Sequence, residues 1–186
     1  FFDSGKKEVS MTLYIMRHGQ TVWNAKGIIQ GRRQGRLSKE GIRQTQLQAE
    51  KFKNVHVDMI FVSPLMRTVQ TANIMNAFHH VKVVKDERII EVEQGLFTGQ
   101  KKQNVKVGRG ERYLNAKKYG MESVEEIYKR CYDFLQDLRE NYKDKTVLAV
   151  THGIITDCLC KLCTNFVISK EVSQGFDNAE IRKFEI

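Results

Sequence analysis

The chain has 186 residues, enough for one domain with a real core, and its apolar and charged contents are ordinary for a globular protein. No apolar run approaches the ~20 residues that cross a bilayer, and the opening FFDSGKKEVS lacks the apolar centre of a signal peptide. A formal charge of +9 favours anionic partners, but without zinc-finger spacing or an aromatic RNA-binding signature it does not point to nucleic acid.

Residues 1–10 read as an extension or leader, and residues 11–186 as a single domain. TLYIM (12–16) is predicted to be a buried strand. A helix is expected from Ser38, its N-cap, to about Phe52, with Ile42, Leu47, Ala49 and Phe52 turned inward and Gly41 as its weak point. VDMIFV (57–62) reads as a second buried strand. In SPLMRTVQTANIMNAF, Ser63 is placed as cap and Pro64 as first helical residue, where its missing N–H costs nothing. VKVV (81–84) reads as a short strand, and residues 95–120 show no clear period. Ser123 and Glu126 form a capping box for a helix from about Glu122 to Tyr142. One face of it carries Val124, Ile127, Tyr128, Cys131, Phe134, Leu135, Leu138 and Tyr142. TVLAVT (146–151) is a third strand, a helix follows Gly153, and AEIRKFEI alternates like an edge strand.

Strands alternating with helices imply an α/β three-layer sandwich, a mostly parallel sheet with helices on both faces. Residues 95–120 become a small basic insertion over one sheet edge. The cysteines of DCLCKLC (Cys158, Cys160, Cys163) lie on an apolar helical stripe without a second ligand cluster, so they read as core filler rather than a metal site. Reduced thiols suit the cytoplasm.

Ligands of open α/β sheets bind outside the carboxyl ends of the strands. Three predicted strands end there on polar residues: Arg17 and His18; Ser63, with Arg67 one turn later; Thr151, His152 and Gly153. Helix starts near Ser63 and Gly153 would aim N–H groups at the same rim. Arginine forks match phosphate oxygens. A neutral imidazole can attack phosphorus, and a carboxyl group can protonate the leaving group. Glu91, in RIIEVEQGLFTGQ, is the candidate carboxyl. Glu93 competes with it, and spacing alone separates neither from a surface carboxylate. Each residue singly has a bland reading, such as a strand-end histidine, a surface ion pair or, for Asn24, a turn former. Their joint order and position favour a catalytic site. His56, His79 and His80 lack such support.

RHG after the first strand, SPLMRTVQTA after the second, IIEVEQGLFTG and the late VTHG together resemble the histidine phosphatase superfamily, the phosphoglycerate mutase-like enzymes. The resemblance runs from about Thr12 to the C-terminus and is faintest at 100–120. It implies that His18 is a nucleophile that becomes phosphohistidine and that Glu91 is general acid, then base. It also implies that Arg17, Asn24, Arg67 and His152, with Gly153 beside them, bind the phosphoryl group, with no metal and no cofactor. Two departures stand out. His-Gly-Gly is His152-Gly153-Ile154, and the frequent D-x-P-L-[ST] is QGRLS, with Gln34 for the acid and Arg36 for the proline. The expected reaction is hydrolysis of a small phosphorylated metabolite, since mutase relatives carry a larger insertion. The alternatives are mutase-type phosphoryl transfer and a silent phospho-ligand binder. Two basic tracts remain: 101–118, read either as solvated surface or as a substrate-attracting lid through Lys101, Lys102 and Lys106, and Arg32, Arg33 and Arg36.

Overall fold

The protein is described by a computed structural model covering residues 10–165 and 175–186. The expected boundary at residues 1–10 falls almost wholly outside this range. In chain order the elements are β1 (Thr12–Arg17), α1 (Val22–Ala25), α2 (Lys39–Phe52), β2 (Met59–Val62), α3 (Met66–Asn76), β3 (Lys82–Lys85), α4 (Arg109–Leu114), α5 (Val124–Asn141), β4 (Thr146–Thr151), α6 (Gly153–Cys163) and β5 (Ile181–Glu185), with short 3-10 turns between β3 and α5.

The two most apolar runs, β1 and β4, pair in parallel at the sheet centre, from Thr12 opposite Thr146 to Arg17 opposite Thr151. Among the described residues the strand order is β3-β2-β4-β1-β5, with only β5 antiparallel. Side chains alternate as the pleat requires. Leu13, Ile15, Phe61, Val147 and Ala149 pack on α5 and α6, whereas Met16, Ile60, Val62, Leu148 and Val150 pack on α2 and α3. This is the expected three-layer arrangement. Buried Cys131 and Cys160 are free thiols within the first of these cores, as apolar filler would be. A small third cluster of Phe97, Ala116 and Met121 supports the 95–120 excursion.

The α5 capping box forms as predicted, with Ser123 Oγ accepting from Glu126 N–H and Glu126 Oε2 accepting from Ser123 N–H. That helix buries Ile127, Cys131, Phe134, Leu135 and Leu138. Val124 and Tyr128, at the margin of the predicted stripe, are exposed.

Two expectations need correction. The inward face of α2 is Gly41, Thr45, Ala49 and Phe52, while Ile42 and Leu47 are exposed. A close approach sets this rotation. A Cβ on Gly41 would lie 1.9 Å from the carbonyl oxygen of Gln20, two residues past His18. The supposed weak point is therefore the contact that docks the helix. The helix after β2 also starts later, at Met66, with Leu65 as an extended N-cap and Pro64 outside the helix. Ser63 is not the cap because its hydroxyl lies 2.7 Å from His152 Nε2. The first N–H of α3, at Met66, is taken by Gln34 Oε1 at 2.9 Å, so this helix start is not the open anion site expected.

Gly41→Ala is expected to destabilise the protein by about 1–3 kcal/mol through overpacking. Gly110→Ala, in α4 with open space around it, should be neutral or slightly stabilising. Urea midpoints of the two variants check the contrast.

Candidate active site

Parallel, in-register pairing delivers the site. Because Arg17 lies opposite Thr151, the next residues, His18 and His152, leave the sheet side by side, with ring centroids 5.2 Å apart. The His18 backbone is fixed on both sides. Its N–H donates to Thr151 O at 3.0 Å, and its carbonyl accepts from Ala179 N–H and Asn178 Nδ2 at 3.2 and 3.1 Å.

His18 Nδ1 lies 2.7 Å from the carbonyl oxygen of Gly19. A carbonyl only accepts, so Nδ1 carries the proton and Nε2 keeps its lone pair. The ring is buried, and desolvation, then the Arg67 charge, holds its pKa well below 6.5. It is therefore a neutral imidazole with a usable nitrogen.

Arg67 is almost fully buried at 1% exposure. Its Nη1 and Nη2 donate to the carbonyls of Arg33 and Gly31 at 3.0 and 2.9 Å, and its Nε donates to His152 Nδ1 at 3.2 Å. Five donors minus these three leave two N–H groups for the cavity that Arg67 lines. Burial lowers its pKa to about 10, so it stays charged at neutral pH. Arg17 donates from Nη1 to Phe176 O at 2.5 Å, and its buried Nε has no hydrogen-bond partner among the described residues. Its pKa too is lowered by desolvation, against the opposing charge of Glu91.

Glu91 faces the same cavity, and burial raises its carboxyl pKa against the opposing pull of Arg67 and the Val92 N–H. That favours the protonated, donating form. Asn24 spends its Oδ1 on the N–H of Thr21, in the capping box of α1, which leaves its amide N–H groups beside the cavity.

Arg17, His18, Asn24, Arg67, Glu91 and Gly153 all line one cavity of about 570 Å³. Its lining thus brings together a lone-pair nitrogen, permanent cations, the start of α6 and a raised carboxyl. That combination suits phosphoryl chemistry.

Residues 13–186 match the histidine phosphatase superfamily (branch 1). The chain belongs to that superfamily. It is 30% identical to phosphoserine phosphatase 1 of Hydrogenobacter thermophilus, across 90% of this chain and 82% of the relative. It is 31% identical to a probable phosphoglycerate mutase of Yersinia pestis, across 80% and 73%. The solved phosphoglycerate mutase of Bacillus anthracis shares the fold at a TM-score of 0.81 and 21% identity, covering 95% of this chain and 88% of that one.

Within this superfamily chain, His152 differs from the other expected phosphate ligands. Its Nδ1 accepts from Arg67 and its Nε2 therefore carries the proton, donated to Ser63 Oγ, so both ring nitrogens are engaged. It does not line the cavity. In this arrangement it orients Arg67. The basic tract also divides. Lys102, Arg109 and Arg112 line the cavity, and Lys101 and Lys106 do not. Arg112 stacks over Phe97 at 5.0 Å. Asp157, one turn into α6, also lines the cavity, and burial raises its pKa. No motif flagged it in the sequence, although its place four residues after Gly153 was legible. Of Arg32, Arg33 and Arg36, only Arg32 turns inward, toward Glu91.

Neutral burial of His18 has a consequence for stability. In the unfolded chain it titrates near 6.5, and in the fold well below. As pH falls through 6.5 the unfolded chain takes up the proton first, so stability drops until the folded pKa is passed. His152 contributes with the same sign. The raised Glu91 pKa contributes oppositely: its stabilisation is full below 4.5 and is lost as pH rises through its folded value. His18→Gln is therefore expected to lose less stability than wild type on acidification from pH 7 to 5, read as urea midpoints.

Proposed function

We propose that the protein hydrolyses phosphomonoesters of small metabolites through a phosphohistidine on His18. The observation that carries this reading is the His18 hydrogen bond to Gly19 O, which leaves Nε2 as the free nitrogen in a cavity shared with Arg17, Arg67 and Glu91.

In the first step the Nε2 lone pair attacks phosphorus, the P–O bond to the leaving group breaks, and Glu91 gives its proton to the departing oxygen. Arg17 and Arg67 neutralise charge on the equatorial oxygens, and the Asn24 amide donates a hydrogen bond to them. Nδ1–H stays on Gly19 O, which stabilises the cationic phosphoimidazole. In the second step the Glu91 carboxylate takes a proton from water, the water oxygen attacks phosphorus, and the N–P bond breaks. Phosphate leaves, and His18 and protonated Glu91 are restored. The remainder of the cavity, within the common ~300–1,000 Å³ of small-ligand sites, receives the leaving group between α4 and the start of α6. Lys102, Arg109 and Arg112 favour a leaving group that is itself anionic. The phosphoserine phosphatase relative is in keeping with this chemistry.

Mutase-type transfer is the second reading, motivated by the phosphoglycerate mutase names among the relatives. Screening phosphorylated metabolites for released phosphate tests the first. His18→Ala should lose at least about 10³-fold in kcat; equal background in both proteins would leave only a binder. Incubating monophosphoglycerate with a bisphosphorylated primer separates the two chemistries. Free phosphate without isomer exchange is the expected outcome, and isomer exchange would mean a mutase.

A further inference from the structure

Glu91 sits where the chain has no repetitive structure. Residues 90–93 belong to no helix or strand, so their backbone groups must find partners elsewhere. Side chains meet most of the carbonyls here and in the turn just before. Arg130 Nη1, from α5, donates to the carbonyls of Arg88 and Ile90 at 2.7 Å each. Thr151 Oγ1 donates to that of Ile89 at 2.7 Å. Arg32 Nε donates to that of Glu91 itself at 2.9 Å. Four consecutive carbonyls are thus tied, and the next anchor is Glu122 N–H on Glu93 O at 3.1 Å.

The two arginines share one counterion. Glu122, with its side chain 10% exposed, accepts from Arg130 Nε and Nη2 at 2.6 and 2.9 Å and from Arg32 Nη2 at 3.1 Å. Arg32 comes from the turn whose carbonyls, at Gly31 and Arg33, hold Arg67. One three-residue turn therefore grips the phosphate-side guanidinium through its backbone and the acid-bearing segment through its side chain.

We propose that Arg32, held by Glu122, which Arg130 fixes in turn, is a positioning residue that sets the Glu91 carboxyl against the leaving group, and that the turn at 31–33 keeps Glu91 in register with Arg67. The proposal rests on the reading of Glu91 as general acid. A proton donor on an irregular segment must be held to within a fraction of an ångström, and misplacement by about 1 Å from outside the chemistry costs on the order of 10²-fold.

Leaving-group dependence tests it. An alkyl alcohol needs a proton to depart, whereas p-nitrophenolate leaves without one, so loss of acid placement is selective. The Arg32 side chain is 37% exposed, and Arg32→Ala leaves the Arg130–Glu122 pair in place. Because Glu91 also serves the water step, which both esters share, the readout is kcat/KM, which reports phosphoryl transfer to His18: the variant should lose roughly 10–100-fold in kcat/KM on an alkyl phosphate such as O-phosphoserine or glycerol phosphate. It should lose less than about threefold in kcat/KM on p-nitrophenyl phosphate. In a Glu91→Gln background, Arg32→Ala should add nothing on the alkyl ester. Glu122→Gln, which keeps the shape and removes the shared charge, should show the same selectivity, with thermal unfolding of each variant measured alongside. Equal losses on both esters, or additivity with Glu91→Gln, would overturn the positioning role. If Glu91→Gln shows the selective loss and Arg32→Ala does not, only this proposal falls. If Glu91→Gln itself loses nothing on the alkyl ester, the acid assignment falls first and takes the proposal with it.

Discussion

His18 is a neutral ring buried among guanidinium groups, with its Nδ1 proton committed to the neighbouring carbonyl. Most of the site can be derived from that constraint. Burial and the Arg67 charge oppose the imidazolium, so the ring keeps a lone pair in a cavity built to attract phosphate. The Gly19 hydrogen bond selects which nitrogen keeps it. In the proposed phosphoenzyme the ring would be cationic, and the same carbonyl would then face a charged N–H, a stronger interaction than in the resting state. Under that proposal the hydrogen bond favours the covalent intermediate over the resting ring.

The sheet supplies the precision. β1 and β4 are pinned by parallel register and by two apolar faces, so the carboxyl-end residues Arg17, His18, Thr151 and His152 cannot slip without turning core side chains to the wrong face. The second tier is polar. Ser63 and His152 orient Arg67, and Arg32, Glu122 and Arg130 tie down the backbone around Glu91. Among the described residues that line the cavity, cations outnumber acids, and this imbalance acts differently on its two kinds of group. It suppresses the imidazolium and opposes the upward shift of the Glu91 carboxyl, where burial wins.

Much of this was legible in the sequence because it rests on local pattern. TLYIM and TVLAVT announce buried strands, and SVEE announces a helix start. Arg17, His18, Arg67 and Gly153 follow from knowing which strand ends face one way. What was illegible rests on tertiary contact. The inward face of α2 turns on Gly41 and Thr45, which carry no hydrophobic signal. Ser63 looked like a cap, but its hydroxyl serves His152. Arg32 looked like one cation among several in a basic loop, and only its reach to Glu91 O and Glu122, distant in the chain, distinguishes it from Arg33 and Arg36. The place of His152 at a strand end was legible, but the commitment of both its ring nitrogens, away from the cavity, was not.

Locating the phosphate on a trapped phosphoenzyme would test the central claim most directly. The protein is mixed with a phosphomonoester, quenched in alkali within the turnover time, and examined by mass spectrometry and ¹⁵N–³¹P NMR of histidine-labelled material. The account predicts a single phosphohistidine at residue 18, with phosphorus bonded to Nε2. Phosphorus on Nδ1, on another residue, or on no residue while substrate is being turned over would contradict it.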